Sequence, residues 1–141
     1  MILGIGTDIV LTERFNNWVT YAPQRLAKIF TPQELRDCSS DGVLIPEKLA
    51  ARFAAKEAFY KAFSVALVQL GLTGKTFSLL FACPHVTITA GTWQVPVLKI
   101  DWAVFEKKIG ANLPALSVHV SISHEKTAAI AFVVISHQET N

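Results

Sequence analysis

The sequence has few charged residues, little cysteine and no long hydrophobic run. Charged residues make up 17% of the 141 residues and the formal net charge is +2, which is too small to favour a nucleic-acid-binding surface. The most apolar stretch, 62–83, is interrupted by glycines and polar residues, whereas a membrane helix needs roughly 20 consecutive apolar residues. The composition therefore argues against charge-driven nucleic-acid binding and against a membrane span.

The two cysteines, Cys38 and Cys83, have a spacing unlike that of metal or redox motifs. The chain starts at Met1 with a β-like run and shows no basic segment of the kind that opens a signal peptide. We therefore expect a reducing, cytoplasmic environment. A chain of 141 residues is long enough to bury one core without disulfides.

Periodicity and turn residues predict a single α+β domain over residues 1–141. The predicted strands lie at 1–10, 76–82, 85–90, 95–101 and, as a terminal hairpin, 117–123 and 128–135. The predicted helices lie at 12–29, bent or broken at Pro23, from the capping box of Thr31 and Glu34 to near Ser39–Gly42, from near Pro46 to about Leu70, and at about 102–109. The polar tail 136–141 is expected to be frayed.

The long helix contains ARFAAKEAFYKAF (51–63), which is apolar on two opposite sides. Its four charges, Arg52, Lys56, Glu57 and Lys61, fall in two narrow seams between these sides. A helix that is apolar on two sides is usually buried on both, and buried charges must be paired or must hold a ligand. Glu57 and Lys61 have the spacing of an i, i+4 ion pair, so a purely structural pair remains one interpretation.

Asp8 lies on the same side of the first strand as Gly4 and Gly6. Glycines within a strand indicate that something approaches the backbone closely, although an isolated Asp at a strand end more often turns the chain or caps the next helix. If Asp8 and Glu57 came to about 4 Å, their repulsion would be about 4 kcal/mol at an effective dielectric of 20. A Mg²⁺ ion completed by water and phosphate oxygens would relieve it, and Lys61 would reach the same phosphate as a point charge.

Four motifs together resemble one family, the small holo-[acyl-carrier-protein] synthases of the 4′-phosphopantetheinyl transferases. The motifs are GIGTDIV (4–10) followed by Arg14, FTPQEL (30–35), LAARFAAKEAFYKAF (49–63) and SISHEKTAAIAF (121–132). The resemblance implies a long central helix packed on an antiparallel sheet. It also implies transfer of 4′-phosphopantetheine from coenzyme A to a serine of an apo acyl carrier protein, with Mg²⁺, in fatty acid biosynthesis. Adenosine 3′,5′-bisphosphate would be the other product.

The resemblance assigns roles to five residues of the predicted site. Asp8 and Glu57 match the Mg²⁺-binding carboxylates, and Lys61 matches the lysine that neutralises the phosphates. Arg52 and His124 match positions near the bound nucleotide, although a lone turn histidine is more often solvated than functional. Glu57, directly or through a water, would be the base for the carrier serine.

The resemblance also implies a homotrimer with active sites between neighbouring subunits, and this packing would bury the second apolar side of the long helix. A basic group in the first helix, here Arg14, Arg25 and Lys28, would dock the acidic carrier, unless it is merely a solvated face. The family's Gly-Thr-Gly-like turn after the long helix is replaced by SVALVQLGL after Phe63.

Three alternatives to an active synthase of the fatty-acid type stay open at this level. In the first, the chain is a divergent paralogue that acts on a specialised carrier. In the second, it binds coenzyme A or a carrier protein without turnover. With the resemblance set aside, a Mg²⁺-dependent nucleotide phosphohydrolase fits the same carboxylates.

Overall fold

The computed structural model describes residues 1–138. The strands in this range are β1 (Ile2–Leu11), β2 (Ser39–Ser40), β3 (Val43–Leu44), β4 (Val86–Ala90), β5 (Pro96–Ile100), β6 (Leu116–His124) and β7 (Ala128–His137). The α-helices are α1 (Pro23–Leu26), α2 (Pro32–Asp37), α3 (Pro46–Gln69), α4 (Leu79–Ala82) and α5 (Trp102–Ile109). Short 3₁₀ turns occupy Thr12–Phe15, Trp18–Thr20, Cys83–His85 and Thr92–Gln94.

The main sheet has three antiparallel strands in the order β1-β7-β6. β7 pairs with β1 on one side, with Asp8 opposite Ala131, and with β6 on the other, with His124 opposite Ala129. The hairpins β2–β3 and β4–β5 form separate two-stranded sheets. The predicted α+β domain with a long helix on an antiparallel sheet is therefore confirmed.

The long helix α3 is buried on two sides within a single chain. One side packs on β1 and β7, where Ala54, Ala58 and Ala62 are fully buried. On another side, Phe53 packs against Phe15, whose ring centroid lies 5.5 Å away. The prediction of two-sided burial is confirmed. The expectation that neighbouring subunits bury the second side is wrong, because segments of the same chain cover it.

Helix α3 rests directly on the backbone of β1. A Cβ atom placed on Gly4 would lie 2.0 Å from the carbonyl oxygen of Ala62, and one on Gly6 would lie 2.0 Å from that of Ala58. No side chain fits at such a distance, so these two positions require glycine. The feature that approaches the strand glycines is thus the helix itself.

Two predicted elements are wrong. In place of a helix over 12–29, the chain forms two 3₁₀ turns and the single-turn α1, because Pro23 forces the preceding Ala22 into an extended conformation with ψ 145°. In place of a strand over 76–82, the chain forms α4, whose N-cap Ser78 accepts a hydrogen bond from the Phe81 amide. A short apolar run does not distinguish strand from helix by its periodicity.

The other predicted elements are close to those observed. Thr31 and Glu34 form the reciprocal capping box at the start of α2, and α3 and α5 have nearly the predicted ends. Ser136 and His137 pair with β6, so the strand enters the segment expected to be frayed. Residues 139–141 of that segment lie outside the described range. No helix within residues 1–138 is long and apolar enough to cross a membrane.

Replacing Gly6 with alanine should separate α3 from β1. The added Cβ atom would meet the Ala58 carbonyl oxygen at 2.0 Å, and backbone atoms yield only by moving the helix. We expect Gly6→Ala to lower the free energy of unfolding by about 3 kcal/mol, measured by urea denaturation. Gly74→Ala is the matched control, because a Cβ there meets nothing within 4 Å. Equal stability of the two variants would contradict the close-contact argument.

Candidate functional site

The close contact between β1 and α3 brings Asp8 beside the polar seam of the helix. Asp8 lies on the helix-facing side of β1, and its side chain is only 10% exposed. Its Oδ1 atom accepts a hydrogen bond from Lys61 Nζ at 2.9 Å. Strand and helix thus bring together residues that are more than fifty positions apart in the chain.

Lys61 joins Asp8 rather than Glu57. Its ammonium group also donates to the carbonyl oxygen of Thr7 at 3.0 Å. Within residues 1–138, no ion pair within 4 Å connects Lys61 to Glu57. The i, i+4 pair that the helix spacing allows is therefore replaced by a pair across two elements, in which Lys61 is half-exposed.

Glu57 and Asp8 form a carboxylate pair. Burial is the main cause that raises the pKa of Glu57, and the neighbouring carboxylate of Asp8 raises it further. The cations Lys61 and Arg14 act in the opposite direction. A carboxylate that is destabilised by burial and by a second carboxylate favours a proton or a cation as partner.

One oxygen of this pair has no partner. Asp8 Oδ2 is buried, and it has no hydrogen-bond partner among the described residues. Buried acceptors normally find a donor, so this atom is suited to a ligand. Asp8 and Glu57 are oxygen donors of the kind that Mg²⁺ prefers, and two carboxylates leave positions for water and phosphate oxygens. The residues present therefore fit a Mg²⁺ ion.

Arg52 and His124 lie together in a cleft of about 770 Å³. The Nε atom of Arg52 is buried and has no hydrogen-bond partner in the described part of the chain, and the exposed His124 ends β6 at the same cleft. Lys48 and Lys99 add two more basic side chains to its walls. The cleft is chemically suited to an anionic ligand.

The predicted site residues thus form two separate groups within one chain. The cleft around Arg52 and His124 is not lined by Asp8, Glu57 or Lys61. Arg52 and Glu57 are five positions apart on α3, so their side chains point about 140° away from each other around the helix axis. The sequence placed all five residues in one site, whereas a single chain brings them together only in these two groups.

The predicted basic docking group is spread over the segment that precedes α2. The guanidinium carbon of Arg14 lies 5.0 Å from the centre of the Phe53 ring, near enough to the carboxylates to lower the pKa of Glu57. The guanidinium of Arg25 lies 3.6 Å from the centre of the Tyr21 ring. Lys28 is exposed. These residues do not share one regular helix as the sequence predicted.

The sequence interpretation missed a buried ion pair. Lys56 is 1% exposed and lies 2.7 Å from the carboxylate of Glu34, which is fully buried. Glu34 was recognised only as part of the capping box. A signal was available, because Lys56 lies in an apolar helix and has no acidic residue three or four positions away, so its partner had to come from another element.

Comparisons with known proteins agree with the four sequence motifs described above, and the matches cover nearly the whole chain. A profile of the 4′-phosphopantetheinyl transferase superfamily matches residues 4–131. The chain is 37% identical to a holo-[acyl-carrier-protein] synthase from Dechloromonas aromatica, over 97% of this chain and 99% of that protein.

Two solved structures share the fold. An ACPS–CoA complex from Chronobacterium ammoniagenes superposes with a TM-score of 0.72 at 25% identity, covering 96% of this chain and 98% of that one. A holo-[acyl-carrier-protein] synthase from Neisseria meningitidis gives 0.67 at 30% identity, covering 96% and 99%. The likeness extends across 64–116, where the sequence motifs are weakest.

The raised pKa of Glu57 predicts that this residue costs stability when no cation is bound. A carboxyl whose pKa is raised in the folded state favours folding below its unfolded pKa of about 4.5, and this contribution is lost as the pH rises. We expect Glu57→Gln, in EDTA, to be more stable than the wild type at pH 7, with the difference vanishing below about pH 4.5. Urea denaturation across this pH range measures it.

The control is Glu47→Gln, at the first turn of the same helix. A negative charge near a helix N-terminus is stabilising, so this variant should gain nothing at pH 7. A Glu57→Gln protein that is less stable than the wild type at pH 7 would show that Glu57 is well partnered in the folded state.

Proposed function

Because the chain belongs to the holo-[acyl-carrier-protein] synthases of the 4′-phosphopantetheinyl transferase superfamily, and is therefore a transferase, we propose the following reaction. In this reaction, the chain transfers 4′-phosphopantetheine from coenzyme A to a serine of an apo acyl carrier protein, with Mg²⁺. The products are the holo carrier and adenosine 3′,5′-bisphosphate. The proposed setting is fatty acid biosynthesis in the cytoplasm.

The observation that carries the Mg²⁺ part of the proposal is the unpartnered Oδ2 of Asp8 beside the carboxylate of Glu57. A chain that only bound a carrier protein would not need a buried acceptor without a donor. When bound, Mg²⁺ would polarise a phosphoryl oxygen and offset developing negative charge. Asp8 and Glu57 would hold it.

The chain's own residues then have distinct tasks. The serine oxygen of the carrier attacks the phosphorus next to pantetheine, and the bridging P–O bond of the pyrophosphate breaks. Glu57, directly or through a water, would accept the serine proton. Lys61, whose half-exposed ammonium lies beside Asp8, would neutralise charge on the phosphates. Phosphoryl transfer depends mainly on such positioning and neutralisation.

We place the nucleotide end of coenzyme A in the cleft of Arg52 and His124. The basic side chains of this cleft suit phosphate groups, and its volume of about 770 Å³ is in the range of small-molecule sites. Since this cleft and the carboxylates are separate within one chain, we propose that a complete site combines two chains, one supplying each group.

An exposed apolar face on the main sheet supports assembly of several copies. Ile5, Ile9 and Leu11 of β1 and Ile130 and Phe132 of β7 point away from α3 and are 45–67% exposed. Contiguous apolar surface of this kind marks an interaction site. The proposed assembly is a homotrimer, in which the sheet face rather than the second side of α3 is buried between subunits.

Arg14 is the strongest candidate for contact with the acidic carrier protein. It lies near Glu57, at the place where the carrier serine must arrive, and its charge already acts on that carboxylate. Arg25 and Lys28 lie further along the same segment and would mainly increase the rate of association.

The first test is intact mass spectrometry of an apo fatty-acid carrier protein after incubation with this chain, coenzyme A and Mg²⁺. A gain of one phosphopantetheinyl group that is lost in EDTA is expected. Asp8→Asn and Glu57→Gln should each reduce the initial rate at least about a hundredfold, since both groups act on the reacting atoms.

The matched control is Asp41→Asn, which makes the same chemical change in the exposed turn between β2 and β3. Asn suits such a turn, so its rate should equal that of the wild type. Release of nucleotide from coenzyme A without any carrier would favour the phosphohydrolase alternative. Coenzyme A binding without turnover on any carrier would favour a binding-only role.

A subunit-mixing experiment tests the shared site. Arg52→Ala and Glu57→Gln homo-oligomers should each be inactive, because each lacks one of the two groups at every site. Mixed oligomers refolded from equal amounts should recover about a quarter of the wild-type activity, since about a quarter of the interfaces combine the two intact groups. Refolded single variants serve as controls, and no recovery on mixing would place both groups in one chain.

A further inference from the structure

The buried pair of Lys56 and Glu34 is fully satisfied by hydrogen bonds. Lys56 Nζ lies 2.7 Å from Glu34 Oε1 and donates to the carbonyl oxygens of Cys83, at 2.6 Å, and Val86. Glu34 Oε1 accepts from the Thr31 amide at 2.9 Å, and Oε2 accepts from the Ile88 amide at 3.1 Å. The three ammonium protons and both carboxylate oxygens therefore have partners.

Each member of this network is close in the chain to a residue that lines the cleft of Arg52 and His124. Glu34 lies on α2 between Gln33 and Asp37, which both line it. Lys56 lies one helical turn after Arg52 on α3. Ile88 itself lines the cleft while its amide is held by Glu34. The pair thus connects α2, α3 and the start of β4, three elements that supply walls of the cleft.

The third wall is the hairpin β4–β5, which joins the core through the buried side chains of Val86 and Ile88. Within residues 1–138, however, its strands hydrogen-bond to each other and to no strand of the main sheet. It nevertheless supplies Ile88, Thr89, Ala90, Gln94, Pro96 and Lys99 to the cleft. The bonds from Lys56 and Glu34 to Val86 and Ile88 fasten the start of this hairpin to α2 and α3.

Stability alone does not account for a charged pair at this place. Well-packed neutral or apolar groups of similar volume often stabilise a fold as well as a buried ion pair does. The ion pair differs from apolar groups because its hydrogen bonds are directional. They end on specific carbonyl and amide groups of the hairpin and so fix its position against the two helices.

We propose that Lys56 and Glu34 are positioning residues that hold the hairpin β4–β5 against α2 and α3, so that Arg52, Lys99 and His124 converge on the nucleotide end of coenzyme A. This role rests on the proposed function, because it concerns the ligand of that cleft. Neither residue touches the reacting atoms, so the pair acts on coenzyme A binding and not on the chemical step.

The test is the double variant Glu34→Gln/Lys56→Met, which removes both charges and keeps similar volumes. The KM for coenzyme A should rise at least about tenfold while kcat changes less than about threefold, the pattern of lost binding rather than lost transition-state stabilisation. Isothermal titration with coenzyme A should show the same loss of affinity. A folded double variant with unchanged KM and affinity would overturn the proposal.

Two controls separate positioning from general destabilisation. Ile135→Val removes one methylene from the fully buried core of β7, away from the cleft, and should leave the KM unchanged. Lys56→Arg keeps the charge and should recover part of the affinity that Lys56→Met alone loses. Equal KM values for Lys56→Arg and Lys56→Met would also contradict the proposal.

A measurement on the wild type covers the case in which the variants do not fold. In native-state hydrogen exchange, the Ile88 amide should exchange as slowly as the core amides of β7, because it opens only with the whole fold. Fast, local exchange of Ile88 would show that the hairpin is not fastened. Absence of coenzyme A binding by the wild type would instead reject the proposed function, and the exchange result would still decide whether the pair holds the hairpin.

Discussion

The direct contact between the backbone of α3 and that of β1 determines most of what this structure can do. Gly4 and Gly6 bring the helix to a distance that no side chain would allow. Because helix and strand are so close, Asp8 comes within reach of Lys61, and its charge acts on Glu57. A looser packing would leave these residues as ordinary surface charges. The acidic site is therefore a consequence of how the strand and the helix pack, because its charged side chains lie at the edge of their contact.

The charges on α3 divide into two kinds that differ in how well they are satisfied. Lys56 has all its hydrogen-bonding capacity used within the chain, which is the condition under which a buried charge is tolerated. Glu57 has a raised pKa, and Asp8 keeps a buried oxygen without a partner. Complete satisfaction is typical of a structural role, whereas the incomplete satisfaction of the carboxylates is what a ligand would relieve.

Within residues 1–138, a single chain presents two separate groups of charged side chains and an exposed apolar face on the main sheet. The carboxylates with Lys61 lie in one place, and Arg52 with His124 lies in another. The second apolar side of α3 is covered within the chain, so the outer face of the main sheet is what a neighbouring copy would bury. In the proposed assembly these facts are linked, because the same association that covers the sheet would complete the sites.

The sequence by itself determined the elements that depend on neighbouring residues: the capping box of α2, the ends of α3, the terminal hairpin and the seam that contains Glu57. These follow from periodicity and caps, which act over a few positions. Only the tertiary structure decided that Lys61 pairs with Asp8, that Lys56 pairs with Glu34, and that the site residues form two groups. Those outcomes depend on contacts between residues far apart in the chain. Local patterns show that a buried charge needs a partner, and the packing of the whole fold selects it.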